Sequence, residues 1–90
     1  MNKAIISVIG KDKVGIIARV CSYLSESGIN IEDISQTILQ GFFTMMMVVD
    51  LHSATVSFDD VSAKLGEIGD ELGVVIKIQH EDIFSAMHRI

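Results

Sequence analysis

The sequence predicts an α+β fold of the ferredoxin-like type, with the element order strand, helix, strand, strand, helix, strand (βαββαβ). Two observations lead to this fold. Short β-branched runs alternate with segments whose apolar residues recur every three to four positions, and glycines stand at the junctions between them. Right-handed crossovers in this order place both helices on one face of a four-stranded antiparallel sheet, with the first and third strands central.

The first unit of the chain is a strand followed by a helix. Residues 3–9 form a run rich in β-branched residues that ends at Gly10, and this pattern predicts a buried strand. We expect Asp12 to cap the following helix. The helix ends at Gly28, which can adopt the left-handed conformation that closes many helices. Its buried stripe is predicted to contain Ile16, Val20 and Leu24.

The middle of the chain predicts a β-hairpin over residues 29–51, with Gln40 and Gly41 as its turn. The second arm of this hairpin is apolar on both sides, whereas a half-solvated strand should alternate between apolar and polar residues. We therefore expect both faces of the sheet to be covered, most simply by a second copy of the chain in a two-fold homodimer. The alternative is that the C-terminal segment of the same chain provides the cover.

The last third of the chain predicts a second helix and a fourth strand. Ser57, which is followed by two acidic residues, marks the start of the helix, and Gly73 marks its end. The fourth strand covers residues 74–79. Residues 81–90 have apolar side chains at helical spacing, so we expect a short amphipathic helix there, as an extension of the domain formed by residues 1–80.

The composition restricts the classes of function. Ninety residues make one small domain, and the formal net charge of −5 argues against a protein that binds nucleic acid by itself. The single cysteine, Cys21, excludes an internal disulfide and fits a reducing compartment. No signal peptide is evident, and the longest strongly apolar run, residues 45–49, is far too short to span a membrane. We expect a cytoplasmic protein without a membrane partner.

The loop after the first strand is the candidate ligand site. Gly10 and Gly15 have the spacing of the glycines in a P-loop, but isoleucines follow where Lys and Ser or Thr would hold phosphates and magnesium, so a nucleotide triphosphatase is excluded. Free backbone N–H groups at the helix start and the two lysines that flank Asp12 would suit a carboxylate. Asp12 could accept an ammonium group, or it could only cap the helix.

No pattern in the sequence indicates an enzyme. Cys21 lies on the apolar side of the first predicted helix, where a lone cysteine is usually a core residue. The three histidines do not have the spacing of metal ligands. We expect no catalytic residues, no metal site and no cofactor.

Two motifs resemble those of the ACT domain family, whose members are small regulatory modules that bind amino acids. The family's D-[KR]-x-G-[IVL] loop is matched within "GKDKVGI" by residues 12–16, and its G-x-N-I element within "SGINIEDIS" by residues 28–31. The likeness covers nearly the whole chain. It is greatest to small proteins that consist of little more than an ACT domain and to the glycine cleavage system repressor group. One departure is Val14, where many family members have proline.

The resemblance implies an effector site between the first loop of one domain and the start of the second strand of a paired domain. It further implies a homodimer that binds an amino acid and signals to a regulated protein. Many ACT domains only dimerise, so a ligand-free interaction subunit is the alternative. Carried over residue by residue, the ligand-binding positions are Lys11, Asp12, Val14, Gly15, Ile16 and Asn30.

Overall fold

The structure, a computed structural model, describes residues 3–11 and 15–80. The elements follow the predicted βαββαβ order. The predicted helix over residues 81–90 lies outside the described residues. The strands and helices in chain order are β1 (Lys3–Lys11), α1 (Ile16–Glu26), β2 (Asn30–Leu39), β3 (Phe42–Asp50), α2 (Phe58–Leu72) and β4 (Val75–His80).

The four strands form one antiparallel sheet in the order β2-β3-β1-β4, so the predicted central position of β1 and β3 is confirmed. In the middle of the sheet, Ile6 lies opposite Met47 on one side and Ile78 on the other. Alternate strand residues point toward the two helices and form one core with them. Its largest fully buried side chains are Ile6, Val8, Ile16, Val20, Leu24, Met45, Met47, Val49, Val61, Leu65 and Ile68.

Three predicted element boundaries are confirmed by backbone geometry. Gln40 and Gly41 both have positive φ, 52° and 82°, the pattern of the tight hairpin turns that match strand twist. The Ser57 hydroxyl accepts a hydrogen bond from the Asp60 N–H at 3.1 Å and caps α2. Gly73, with φ 73°, ends that helix in the left-handed conformation.

The predicted capping of α1 by Asp12 is wrong. The N-cap position belongs to Gly15, which has φ 93° and provides no side-chain hydrogen bond. A capping residue directly precedes the first helical residue, and α1 begins only at Ile16. Asp12 itself lies outside the described residues. The strand before this loop is also longer than predicted, because Gly10 and Lys11 continue the pairing with β3.

The sheet face that points away from the helices carries several exposed apolar side chains. Phe42 is 57% exposed and Val75 55%, with Ile9 and Met46 beside them on the central strands. We call these four residues the open-face cluster. No residue of the described ranges buries it, so the expected cover by a second copy stays a prediction.

Candidate functional site

The loop end of the predicted site lies where β1 stops and α1 starts. Lys11 is the last residue of β1 and is exposed, opposite Phe42. Gly15 lies directly before α1, and Ile16 is buried in the core, so only its backbone can face a ligand. Because Gly15 has no side chain, the N–H groups of the first turn of α1 lack the side-chain acceptor that a polar cap would provide. The predicted residues Asp12 and Val14 lie outside the described residues.

The other predicted residue, Asn30, lies at the opposite end of the sheet. Asn30 is the first residue of β2 and faces Asp50, which in turn pairs with Lys3 at the start of β1. Lys11 lies eight positions further along β1, which is roughly 26 Å at the rise of an antiparallel strand. The structure therefore does not bring Lys11 and Asn30 together within one chain. One small ligand could contact both only if they came from different chains.

The two ends of the sheet also differ in charge. Near Asn30 lie the carboxylates of Glu32, Asp33 and Asp50, and the Lys3 ammonium binds Glu32 Oε1 at 2.8 Å. The Lys11 end carries a lysine and the N-terminus of α1, where the helix dipole is positive. The start of β2 is therefore rich in carboxylates, whereas the start of α1 is the positive end of a helix dipole.

A groove lies along the outer side of α1, between this helix and the start of β2. Its volume is about 410 Å³. Cys21 packs against the core, as predicted, but it is only half-buried and also lines this groove. This role was not predicted from the sequence. The signal for it is the i, i+4 spacing of Ile17, Cys21 and Ser25, which places the three side chains on one stripe of α1. The groove is lined by Cys21, Ser25, Gly28, Ile29, Asn30 and Ile31.

The back of the groove is fixed by the turn between α1 and β2. Gly28 has φ 72°, and a Cβ there would lie 2.6 Å from the Ser53 carbonyl oxygen, so this position requires glycine. The neighbouring Ser27 carbonyl accepts hydrogen bonds from the Thr55 N–H at 2.9 Å and from its hydroxyl at 3.3 Å. The loop after β3 therefore holds this turn in place from behind.

A smaller cavity of about 190 Å³ lies between the loop after β3, the start of α2 and the end of β4. The rings of Phe58 and His80 stack there with centroids 4.0 Å apart, among Leu51, Ala54, Val56 and Val61. In the described ranges, no group of three or more His, Cys, Asp or Glu residues could hold a metal ion. None of the helices described is long and apolar enough to cross a membrane.

Comparison with known proteins agrees with the fold and the motifs. The family model of the ACT domain matches residues 2–79. A UPF0237 protein of Clostridium acetobutylicum is 62% identical over 88 residues, covering 98% of this chain and 99% of its own. A UPF0237 protein of Bifidobacterium longum is 56% identical over 90 residues, with full coverage of both chains.

Solved structures give the same result. An ACT domain protein from Streptococcus pneumoniae superposes with a TM-score of 0.80 at 46% identity, covering 91% of this chain and 92% of its own. The regulatory subunit of aspartate kinase from Thermus thermophilus has a TM-score of 0.67 at 25% identity, over 88% of this chain and 51% of that one.

The fold is also shared with a chain assigned as a glycine cleavage system transcriptional repressor. The TM-score is 0.75 at 21% identity, over 86% of this chain and 44% of that one. The family model, the full-length relatives and the βαββαβ sheet agree along almost the entire sequence. The chain belongs to the ACT domain family.

Proposed function

We propose that this protein is a non-enzymatic regulatory module: a homodimer that binds an amino acid between its two chains and signals occupancy to another protein. The observation that carries the proposal is the separation of Lys11 and Asn30 at opposite ends of one sheet. The two halves of the site can act on one small ligand only when a second chain supplies one of them. The likeness to a regulatory subunit of aspartate kinase supports a regulatory role.

The outer side of α1 and the free edge of β2 supply the surface for this dimer. Ile34 and Ile38 lie opposite buried residues of β3, hence on the helix side of the sheet, yet they are 40% and 56% exposed. Ile17 on the outer stripe of α1 is exposed as well. An exposed apolar row beside an unpaired strand edge suits a second copy of the same surface.

In a dimer whose two-fold axis lies at this edge, the two copies of α1 are antiparallel. The start of α1 in one chain then meets the end of α1 and the start of β2 in its partner. This arrangement brings Gly15 and Lys11 of one chain near the partner's Asn30. It also brings the positive dipole end of α1 in one chain toward the carboxylates near the partner's Asn30, which favours this orientation over a parallel one.

An α-amino acid matches the two ends that meet there. The N–H groups at the start of α1, which the N-cap residue Gly15 leaves without a side-chain acceptor, suit the α-carboxylate. The Asn30 side-chain oxygen and the neighbouring carboxylates suit the ammonium group. A ligand that bridges two chains stabilises one dimer arrangement over others, and this differential stabilisation is the signal.

Two measurements test the proposal. A thermal-shift screen of the full chain against the common amino acids should show stabilisation by at least one of them. At one hundred times Kd a true ligand adds about 2.7 kcal/mol to the free energy of unfolding. The absence of any shift would contradict amino-acid binding.

The dimer can be tested through Cys21, the only cysteine in the sequence. It is the middle residue of the outer stripe of α1, so the two Cys21 thiols should lie near the two-fold axis. A short bis-maleimide should then give a covalent dimer, and Cys21→Ser should give none. A chain that sediments as a monomer and yields no covalent dimer would refute the arrangement.

A second candidate function is a ligand-free interaction subunit. The open-face cluster favours it, because a dimer across α1 and the β2 edge covers this apolar face in neither chain, and the expected cover would then come from a different protein rather than from a second copy. In that case no amino acid would stabilise the protein, and substituting Phe42 by Ser would release a bound partner protein. Release by Phe42→Ser together with an amino-acid shift would assign the open face to the regulated protein of the first proposal.

A further inference from the structure

The open face of the sheet carries an apolar strip along its two central strands, β1 and β3. The strip consists of Ile5, Ile9, Phe42, Met46 and Val48, with Ser7 and Thr44 as small polar residues between them. Exposed polar side chains flank most of its length on the two outer strands. They are Asp33, Ser35 and Thr37 on β2 and Lys77 and Gln79 on β4. Two strands about 4.8 Å apart are roughly as wide as one α-helix, so the strip has the width of a single helix.

We propose that residues 81–90 of the same chain pack along this strip and cover it. The segment directly follows β4 and has apolar side chains at helical spacing. Ile83, Phe84, Met87 and Ile90 fall on one side of a helix, with Met87 in the middle of that side. This inference goes beyond the proposed function, because the proposed dimer uses α1 and the β2 edge and leaves the open face uncovered.

The length of the segment matches that of the strip. From Ile5 to Ile9, β1 advances four positions, or about 14 Å. A helix over residues 83–90 is about 12 Å long. β4 ends at His80, which pairs with β1 next to Ile5. The three peptide steps from His80 to the start of this helix span up to about 10 Å, which is enough to cross from β4 to the neighbouring β1. The helix then runs back along the strip from Ile5 toward Ile9.

A second copy of the sheet fits the strip less well than a single helix does. Two four-stranded sheets packed face to face would also bury the flanking polar side chains, including the charged Lys77 and Asp33. One helix covers the apolar strip and leaves these charged groups in water. The arrangement of apolar and polar side chains on the open face therefore favours a helix as its occupant.

The segment also begins beside the cavity of about 190 Å³ on the helix side of the sheet, which His80 lines. An apolar cavity of about 150 Å³ holds one benzene ring, so this cavity has room for one side chain of the segment. The strip offers contacts to all four apolar side chains. It is therefore the better match for the whole apolar side of the segment.

Crosslinking of the full chain tests where the segment lies. Cys21→Ser removes the only native thiol, and Met87→Cys places a thiol in the middle of the apolar side. Met46→Cys adds a second thiol on the strip, and Val56→Cys, matched to it at 37% exposure, adds one at the cavity instead. A short bis-maleimide should join positions 46 and 87 within one chain at least tenfold faster than positions 56 and 87. An equal or lower rate for the strip, or a crosslink that forms only between chains, overturns the proposal.

The reactivity of a thiol on the strip tests the cover independently. In the Cys21→Ser background, the thiol of Met46→Cys should react with iodoacetamide at least tenfold faster when Met87→Asp interrupts the apolar side. Ser85→Asp adds the same charge on the opposite side of the helix, and the rate should change less than twofold. A rate that neither substitution changes overturns the proposal. A rate that rises on dilution of the protein, whichever residue stands at position 87, would assign the strip to a second copy and overturn it as well.

Discussion

Gly69 and Val74 are in direct backbone contact where α2 gives way to β4. The Val74 N–H donates a hydrogen bond to the Gly69 carbonyl at 2.9 Å, and a Cβ on Gly69 would lie only 2.7 Å from the Val74 carbonyl oxygen. A glycine inside a helix normally lowers its stability. Here it allows the last turns of α2 to approach the sheet closely, so that the helix is followed at once by an edge strand.

Gly69→Ala is therefore expected to destabilise the protein. Alanine in place of glycine stabilises the helix itself by up to about 1 kcal/mol. The new Cβ, however, would contact a backbone oxygen and force α2 or β4 to move, which costs about 1 to 3 kcal/mol. A urea titration should show a net loss in the free energy of unfolding. Gly66→Ala is the matched control, because a Cβ at Gly66 meets nothing within 4 Å, and this variant should gain stability. If both variants gained stability, the close approach at Gly69 would be refuted.

The hairpin turn gives a second prediction that depends on backbone conformation alone. Gly41 has φ 82° and open space around its Cβ position, so Gly41→Ala should cost about 1 to 2 kcal/mol without any steric contact. Gln40→Asn should raise the melting temperature, because asparagine tolerates the positive φ of 52° at that position better than glutamine does. Thermal unfolding followed by circular dichroism measures both. A stable Gly41→Ala variant would mean that the turn has a different conformation.

The cap of α2 gives a third prediction. Ser57→Ala removes the acceptor of the Asp60 N–H and should lower the free energy of unfolding by about 1 kcal/mol. Ser57→Asp keeps an acceptor at the helix start, where negative charge is favourable, and should keep most of the stability. Chemical denaturation of the two variants separates the lost hydrogen bond from a nonspecific effect of substitution. Equal losses in both would argue against the cap.

Local signals predicted the parts of the fold that depend on local chemistry. Ser57 and Gly73 mark the start and the end of α2. Both could be predicted because N-capping and the left-handed helix end depend on the chemistry of the residue itself. The start of α1 was predicted wrongly because Asp12 and Gly15 both carry helix-start signals, and the chain uses the glycine. β1 continues through Gly10, which pairs with Phe43 and lies against Val74, 64 positions later in the chain, and no local pattern reveals these contacts.

The sequence motifs nominate residues for the candidate site, but they do not give its geometry. The motifs placed Lys11 and Asn30 in one site, but only the register shows that a whole sheet length separates them within a chain. The groove was missed for a similar reason. Whether the outer side of α1 is buried depends on how far the helix extends over β2. In this fold Ile34 and Ile38 remain exposed at the β2 edge. Helical spacing alone does not set that overlap.

The last prediction separates the role of Asn30 in binding from any role in folding. Asn30 is exposed at the start of β2, so Asn30→Ala should leave the free energy of unfolding of the ligand-free protein nearly unchanged. If Asn30 binds the effector's ammonium group across the dimer, its loss removes a hydrogen bond to a charged group, worth about 1.5 to 3 kcal/mol, or roughly a 10- to 150-fold increase in Kd. Calorimetric titration with the best amino acid from the screen measures this change. Gln79→Ala, an exposed amide on β4 at the opposite edge of the sheet and outside the groove, should bind as the unsubstituted protein does. An unchanged affinity in Asn30→Ala would remove Asn30 from the site, while an equal loss in both variants would indicate an effect that is not specific to Asn30.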